Sequence, residues 1–187
     1  MEAEKTPLVV GLDAGHGGRD SGATFLEYRE KDITLGIVLQ LEAILEEQGV
    51  KTLLTRRSDE YVDLFERVRR ANTYLCDVLL SIHVNADPDP DTPDDREASG
   101  SEVWIFHGSM HGRQFAERIS QGFRQRLTPF PFRGIRETEH LYILKHAEMP
   151  AVLVECGFID SLHDVSLLSL PRVQARFARV LADALTA

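Results

Sequence analysis

The stretch that most constrains this chain is residues 9–18, where a continuous apolar run passes directly into a glycine-rich loop that carries a histidine. An uninterrupted apolar run is typical of a strand that is covered on both faces of a sheet. Gly15, Gly17 and Gly18 open backbone conformations that other residues avoid and let His16 come close to a ligand. The sequence therefore predicts a buried strand that ends at a histidine.

Apolar strands and amphipathic helices alternate along the rest of the chain. Besides a possible short strand or turn at 141–144, the apolar runs predict strands at residues 8–12, 50–55, 77–83, 101–106 and 151–154. Apolar residues at helical spacing predict helices over residues 30–48, about 64–75, about 115–123 and 171–184. This alternation predicts parallel strands joined by right-handed crossovers.

Length and charge limit the classes of protein that are possible. A chain of 187 residues is long enough for one full core and short for two, so we expect a single domain over residues 1–187. Residues 87–100 are rich in proline and aspartate and are expected to form a mobile surface loop. The net charge of −9, without a basic stripe, argues against nucleic acid as a partner. No apolar run is long enough to span a bilayer.

Three residues have the chemistry of metal ligands. His16 follows the first strand, Glu30 begins the first helix, and His83 ends the strand at 77–83. The carboxyl ends of parallel strands meet at one edge of a sheet, so His16 and His83 are expected to lie close together. Glu30 joins them if the glycine loop folds back over that edge. Two imidazoles and one carboxylate suit zinc and leave a fourth position open for water.

A fourth candidate is Glu155, which directly follows the apolar strand at 151–154. An unpaired charge is costly to bury, so a carboxylate in this place requires a partner. Beside a metal ion it could act as a general base, taking a proton from water and passing it to a leaving amine. The alternative is a structural carboxylate that is paired with Arg133 or Arg136.

Other interpretations remain open for each ligand. His16 could be an exposed loop histidine, His83 a core histidine bonded to a backbone carbonyl, and Glu30 a first-turn acid stabilised by the helix dipole. Most of the remaining histidines are expected to be solvated surface residues. The candidate substrate contacts that we retain are Asn85, His111, Arg133 and His140.

Five blocks of the sequence together resemble a known family. They are the glycine-rich stretch at 12–23, the triplet Glu30-Lys31-Asp32, the pair Thr55-Arg56, and the segments 81–86 and 152–159. In this order and spacing they resemble the zinc-dependent N-acetylmuramoyl-L-alanine amidases of the amidase 3 family. The resemblance runs from about residue 8 to the end of the chain.

The resemblance implies an α/β fold of three layers, in which a mixed, mostly parallel sheet of about six strands is flanked by helices on both faces. It implies hydrolysis of the amide between the lactyl group of N-acetylmuramic acid and the L-alanine of the stem peptide in bacterial peptidoglycan. Carried over by position, one Zn²⁺ would be held by His16, Glu30 and His83, and the catalytic glutamate would be Glu155.

The chain also departs from the family pattern. Cys156 stands where relatives usually have an aliphatic residue, and we expect it to serve as a small core side chain. Some relatives carry an inhibitory helix in the region of residues 87–100, which is short here, so we predict that this chain has none. No wall-binding repeat is visible, so targeting is expected to depend on another segment or on an activator or partner that the sequence does not identify.

Two competing hypotheses are a cell-wall binding module without turnover and a zinc peptidase that acts on free peptides. A pure binder would have no need of Glu155 beside the metal. Residues 1–7 show no secretory signal. The expected location is nevertheless the cell envelope, in the periplasm or wall, where peptidoglycan and muropeptides are found. The alternative is the cytoplasm until release, as for a phage lysin.

Overall fold

The computed structural model describes residues 8–87 and 98–187, which are organised around a six-stranded sheet. The elements in chain order are β1 (Val9–Ala14), β2 (Thr24–Phe25), β3 (Tyr28–Arg29), α1 (Glu30–Glu47), β4 (Lys51–Leu54), α2 (Leu64–Thr73), β5 (Val78–Asn85), β6 (Ser101–Phe106), α3 (Met110–Arg126), β7 (Phe132–Thr138), α4 (Tyr142–His146), β8 (Ala151–Phe158), α5 (Leu162–Leu168) and α6 (Pro171–Thr186).

The sheet has the strand order β4-β1-β5-β8-β6-β7. The first four strands in this order run parallel to one another, whereas β6 is antiparallel to β8, and β7 is parallel to β6. The predicted mixed, mostly parallel sheet is therefore confirmed. We call the edge at which β1, β5 and β8 end the carboxyl edge, and the edge at which they begin the amino edge. Because β6 and β7 run the other way, they begin at the carboxyl edge.

Helices cover both faces of the sheet. One face is fully apolar, with residues such as Leu12, Leu80 and Val154, and packs against α1, α3 and α6. The other face packs Leu79 and Leu153 against α2 and α4. Side chains alternate between the two faces of the sheet along a strand. His83 is four positions after Leu79 on β5, so it lies on the face that packs against α2 and α4.

The structure corrects several boundaries. Residues 132–138 form the edge strand β7, which the sequence did not predict, and the segment 141–144 lies in the loop and first turns of α4 instead of a strand. Strand β7 has no apolar run from which it could be predicted, because Arg133, Arg136 and Glu137 face solvent on this edge strand. The predicted loop at 14–29 contains the hairpin of β2 and β3, and α5 is an additional helix.

Some predictions fall outside the described residues. The predicted loop at 87–100, and the prediction that it holds no inhibitory helix, lie mostly in residues 88–97, which the structure does not describe; the same holds for residues 1–7. Cys156 is a buried free thiol, in agreement with its predicted place in the core, and Cys76 is also a buried free thiol. Within residues 8–87 and 98–187, every helix is too short or too polar to cross a bilayer.

Candidate metal centre and active site

The parallel strands bring the predicted site residues to the carboxyl edge. His83 on β5 is the register partner of Glu155 on β8, and His16 follows β1, whose Ala14 pairs with Ile82. Donor atoms of His16, Glu30 and His83 all lie within 4.8 Å of one another. The predicted convergence of these three residues, which lie far apart in the sequence, is therefore confirmed.

His16 is held in an uncommon backbone conformation. Its φ of 61° is left-handed, and the glycines that follow it, Gly17 and Gly18, also have positive φ values. This turn directs the imidazole back over the sheet edge. Nδ1 of the ring lies 2.9 Å from Oδ2 of Asp20, and Nε2 lies 3.1 Å from Oε2 of Glu30. A carboxylate on the far ring nitrogen fixes the orientation of the imidazole, as is common for metal-binding histidines.

Glu30 lies between the two histidines. Its Oε1 is 2.9 Å from Nδ1 of His83 and accepts the backbone N–H of Val84, while its Oε2 accepts the backbone N–H of Ala23. Burial opposes its ionisation, but hydrogen bonds from His16 and His83 outweigh burial and hold the pKa of Glu30 well below its usual range. The carboxylate therefore does more than stabilise the first turn of α1.

Close packing around Glu30 and His83 depends on two glycines. A Cβ on Gly22 would lie 2.5 Å from Oε2 of Glu30, and a Cβ on Gly15 would lie 2.4 Å from Cε1 of His83. Any side chain at these positions would displace a donor group. The glycines of the loop are therefore required both for its turn and for the space that the donors occupy.

The donor set fits a zinc ion. Ligand atoms at the usual zinc distances around one tetrahedral ion stand about 3.4 Å apart. The spacings of 2.9 and 3.1 Å from Glu30 to the two imidazoles are slightly tighter than this and require only a small expansion. Two imidazoles with one carboxylate are a common set for a zinc site that keeps an open position.

Glu155 lies beside this centre between two cross-strand neighbours, His83 on β5 and Glu102 on β6. Its buried Oε2 has no hydrogen-bond partner in residues 8–87 and 98–187. Burial raises the pKa of Glu155 to about 7, and the nearby Glu30 and Glu102 act in the same direction against the opposing charge of His83. A carboxyl group in this state can both accept and return a proton near neutral pH.

The alternative role for Glu155, a structural pair with Arg133 or Arg136, is wrong. Nε of Arg133 donates to Oε1 of Glu102 at 2.9 Å, and Nη2 of Arg136 lies 3.6 Å from the same oxygen. Both arginines therefore contact Glu102 and leave Glu155 free to face the candidate metal centre.

A buried polar network that the sequence analysis missed supports the His16 loop. Oδ1 of Asp13 accepts hydrogen bonds from Thr55 and Arg67, and its Oδ2 accepts one from Ser81. Arg67 also donates to the backbone carbonyls of Ala14 and His16 at 2.6 Å each. The charge of Arg67, with the hydroxyl donors, outweighs burial and lowers the pKa of Asp13. The sequence signal that could have identified Asp13 is its position as an acid at the end of an apolar strand, as for Glu155.

Arg56 supports the same loop from the other side. Its guanidinium is buried and donates to the carbonyls of Ala14, Gly15 and Lys31. Together, Arg56 and Arg67 bind the carbonyls on both sides of the turn that presents His16. In the sequence, Arg56 is visible only as part of the pair Thr55-Arg56, which does not indicate this role.

The proposed substrate contacts divide between the two edges of the sheet. Asn85 ends β5 and Arg133 lies at the start of β7, so both are at the carboxyl edge. His140 follows the end of β7, which places it at the amino edge, because β7 runs opposite to β8. His111 lines a cavity with Leu8, Asp77 and Pro150, which precede β1, β5 and β8. The structure therefore does not bring His140 or His111 to the site.

The fold and the site define an α/β domain with a two-histidine, one-carboxylate centre at the carboxyl edge. The family model for N-acetylmuramoyl-L-alanine amidase (Amidase_3) matches residues 10–187, which is nearly the whole chain. The chain belongs to this family of enzymes.

Individual relatives agree with this assignment. The sporulation-specific N-acetylmuramoyl-L-alanine amidase of Bacillus subtilis (strain 168) is 34% identical over 180 residues, which are 95% of this chain and 67% of that protein. The endolysin of Bacillus phage SPP1 is 34% identical over 165 residues, which are 86% of this chain and 58% of the endolysin. The solved N-acetylmuramoyl-L-alanine amidase AmiC2 of Nostoc punctiforme has a TM-score of 0.88 and 33% identity, covering 96% of this chain and 95% of AmiC2.

Proposed function

We propose that this chain hydrolyses the amide between N-acetylmuramic acid and the L-alanine of the stem peptide, with one zinc ion held by His16, Glu30 and His83. The observation that carries the proposal is the cluster of these three donors within 4.8 Å of one another, beside the unpaired carboxyl oxygen of Glu155. Family membership supplies the bond that is cut.

In this proposal Glu155 moves the proton. A zinc ion, when bound, would supply Lewis-acid polarisation of the scissile carbonyl and increase the acidity of a nearby water. Glu155 takes a proton from the attacking water and gives it to the leaving nitrogen of L-alanine; its buried Oε2, which has no hydrogen-bond partner among the described residues, can hold the proton between the two transfers. Its neighbour His83 is in register on β5, so the acid and the metal ligands are held by paired strands.

The polar network beneath the loop keeps this arrangement rigid. Asp20 orients His16, while Arg67 and Arg56 fix the carbonyls around it. Ligands that are already in place need little reorganisation when substrate binds. We therefore assign Asp13, Arg56 and Arg67 a positioning role, without contact to the reacting atoms.

The proposed substrate is bacterial peptidoglycan or its soluble muropeptides. A sporulation amidase and a phage endolysin are both among the relatives, so two routes to the wall are compatible with the family. We propose that the chain acts in the cell envelope, with storage in the cytoplasm until release as the alternative. An activator or a separate targeting factor is a further expectation.

The experiment is digestion of purified peptidoglycan, followed by mass spectrometry of the soluble products. We expect intact stem peptides with a free N-terminal L-alanine and glycan strands without peptide. Glu155→Gln should keep its zinc and lose about 10²–10⁴-fold in rate. Shortened stem peptides would instead indicate a peptidase, and unchanged turnover by Glu155→Gln would remove Glu155 from the mechanism.

A further inference from the structure

Two arginines lie on the β7 side of the proposed catalytic glutamate. Glu102 on β6 is the register partner of Glu155 and contacts both Arg133 and Arg136. Across the sheet, the order is therefore His83, Glu155, Glu102 and then the two arginines. The two arginines are on β7, two strands from the β8 strand of Glu155, and their guanidinium groups reach Glu102 on the strand between.

The charges of this group do not balance. Glu102 is one carboxylate for two guanidinium groups, it is almost fully buried, and its Oε2 also accepts a hydrogen bond from Trp104. The neighbouring acid Glu137 is paired with His107 and Arg113. Among residues 8–87 and 98–187, Glu102 is the only acid in contact with the two guanidinium groups, so one positive charge has no carboxylate of its own in a protein whose net charge is −9.

The arginines are partly fixed and partly accessible. The side chains of Arg133 and Arg136 are 35% and 47% exposed. The guanidinium of Arg133 lies 4.9 Å from the ring centroid of Phe158, and its Nε is bonded to Glu102. Within the described residues, its two terminal nitrogens have no hydrogen-bond partner. A guanidinium that is stacked and held at Nε presents these nitrogens for a bidentate bond to a carboxylate.

The opposite flank of the site has a different character. A cavity beside His16 and His83 is lined by Tyr61 and Leu64, which are 44% and 54% exposed. Tyr61 is contacted by the guanidinium of Arg19, 4.1 Å from its ring centroid. Asp20 and Asp63 line the same cavity, so this flank combines aromatic and apolar surface with acidic groups, while the β7 flank carries the two arginines.

Building on the proposed function, we propose that Arg133 and Arg136 form a subsite for a carboxylate of the stem peptide. A stem peptide carries at least its own C-terminal carboxylate, whereas the lactyl carboxyl of the N-acetylmuramic acid that bears the peptide is tied up in the scissile amide and N-acetylglucosamine carries no charge. The peptide then lies across β6 and β7, and the sugar lies toward Tyr61 and Leu64. The subsite fixes which way the substrate crosses the catalytic centre.

The test compares two synthetic N-acetylmuramoyl-L-alanyl peptides, one with free carboxylates and one with every carboxylate converted to a carboxamide. We expect the wild-type chain to cleave both, with a KM about tenfold lower for the free acids, a difference of about 1.4 kcal/mol. In the variant with both Arg133→Met and Arg136→Met, the KM for the acid should rise to that of the amide, while kcat stays within about threefold. Arg126→Met removes an arginine that is paired with Asp183 and should leave both KM values unchanged.

Equal KM values for the two peptides in the wild-type chain would overturn the subsite, and this comparison needs no variant to fold. A double variant that lowers kcat for both peptides equally would also overturn it, because a structural role would explain that result. Failure of the wild-type chain to cleave either peptide, with its zinc bound, would count against the proposed function instead.

Discussion

The two edges of the sheet both carry histidines, but only one edge organises them. At the carboxyl edge, His16 and His83 lie on either side of Glu30, and a buried network of Asp13, Arg56 and Arg67 holds the backbone beneath them. At the amino edge, His140 donates its backbone N–H to Thr138, and His111 lines an open cavity. The difference lies in the number of buried charged groups that fix each backbone.

Strand direction explains why the residues are divided in this way. His83 and Glu155 follow strands that run toward the carboxyl edge, whereas His140 follows β7, which runs toward the amino edge. A histidine after a strand is therefore informative only if the direction of that strand is known. The sequence shows the strands but not the reversal between β8 and β6.

The largest effect is expected from His83→Ala, with His140→Ala as its matched control at the other edge. Loss of a ligand should lower zinc affinity by more than the roughly 10–100-fold that loss of an outer partner costs. Turnover should fall with it. His140→Ala should change neither quantity by more than about twofold, since surface substitutions are usually near neutral. Isothermal titration with zinc and rates on purified peptidoglycan would measure both; equal losses in the two variants would contradict the division between the edges.

A substitution in the supporting network should have the next largest effect. Arg67→Met leaves Asp13 as a buried charge without its ion-pair partner, which should cost about 3–5 kcal/mol of unfolding free energy. Arg69→Met on the same helix removes only an exposed pair with Glu66 and should change the unfolding free energy far less than Arg67→Met does. Urea unfolding compares the two variants. Similar losses would mean that the network does not distinguish the carboxyl edge.

A third expected effect is the pH dependence of the unfolding free energy of the metal-free protein. Burial opposes the charge on His83, but the carboxylate of Glu30 outweighs burial and raises the pKa of His83 to about 9. The folded state then keeps a proton that the unfolded chain releases near its ordinary pKa of 6.5, so this stabilisation is fully present below pH 6.5 and is lost as the pH rises toward 9. Glu155, with a raised pKa of about 7, adds a loss of the same sign between its ordinary pKa of 4.5 and pH 7.

Thermal unfolding at several pH values measures this dependence. With a chelator present, the Tm should fall from about pH 5 to pH 9, and Glu155→Gln should remove the part below pH 7. With zinc present, the trend between pH 5 and 7 should reverse, because protons compete with the metal for the histidines. A Tm of the metal-free protein that rises over this range would contradict the assigned charges.

Much of this architecture could be predicted from the sequence, because it depends on local patterns. The apolar runs predicted the buried strands. The positions of His16, His83 and Glu155 at the ends of these strands predicted that the three residues lie at the carboxyl edge. β7 could not be predicted in this way, because an edge strand with Arg133, Arg136 and Glu137 shows no apolar alternation. The role of Arg67 was also hidden, since a single arginine on a polar helix resembles any solvated residue until its contact with Asp13 is known.

The carboxylate that pairs with each arginine is another property that local patterns do not reveal. Glu102 and Glu155 are both acids in apolar strands, and only the register of β6 against β8 shows that Glu102 contacts the arginines. Long-range register decides which acid contacts the arginines and which keeps a carboxyl oxygen without a partner among the described residues. The alternative role of Glu155, a structural pair with Arg133 or Arg136, could therefore not be excluded from the sequence.

The most direct test of the account is a crystal structure of the zinc-loaded protein with anomalous data collected at the zinc absorption edge. The account predicts one strong anomalous peak per chain, with nitrogen atoms of His16 and His83 and an oxygen of Glu30 at about 2.0–2.2 Å, and with Glu155 facing the open position. A peak at another place, or a peak that lacks any one of these three ligands, would contradict it.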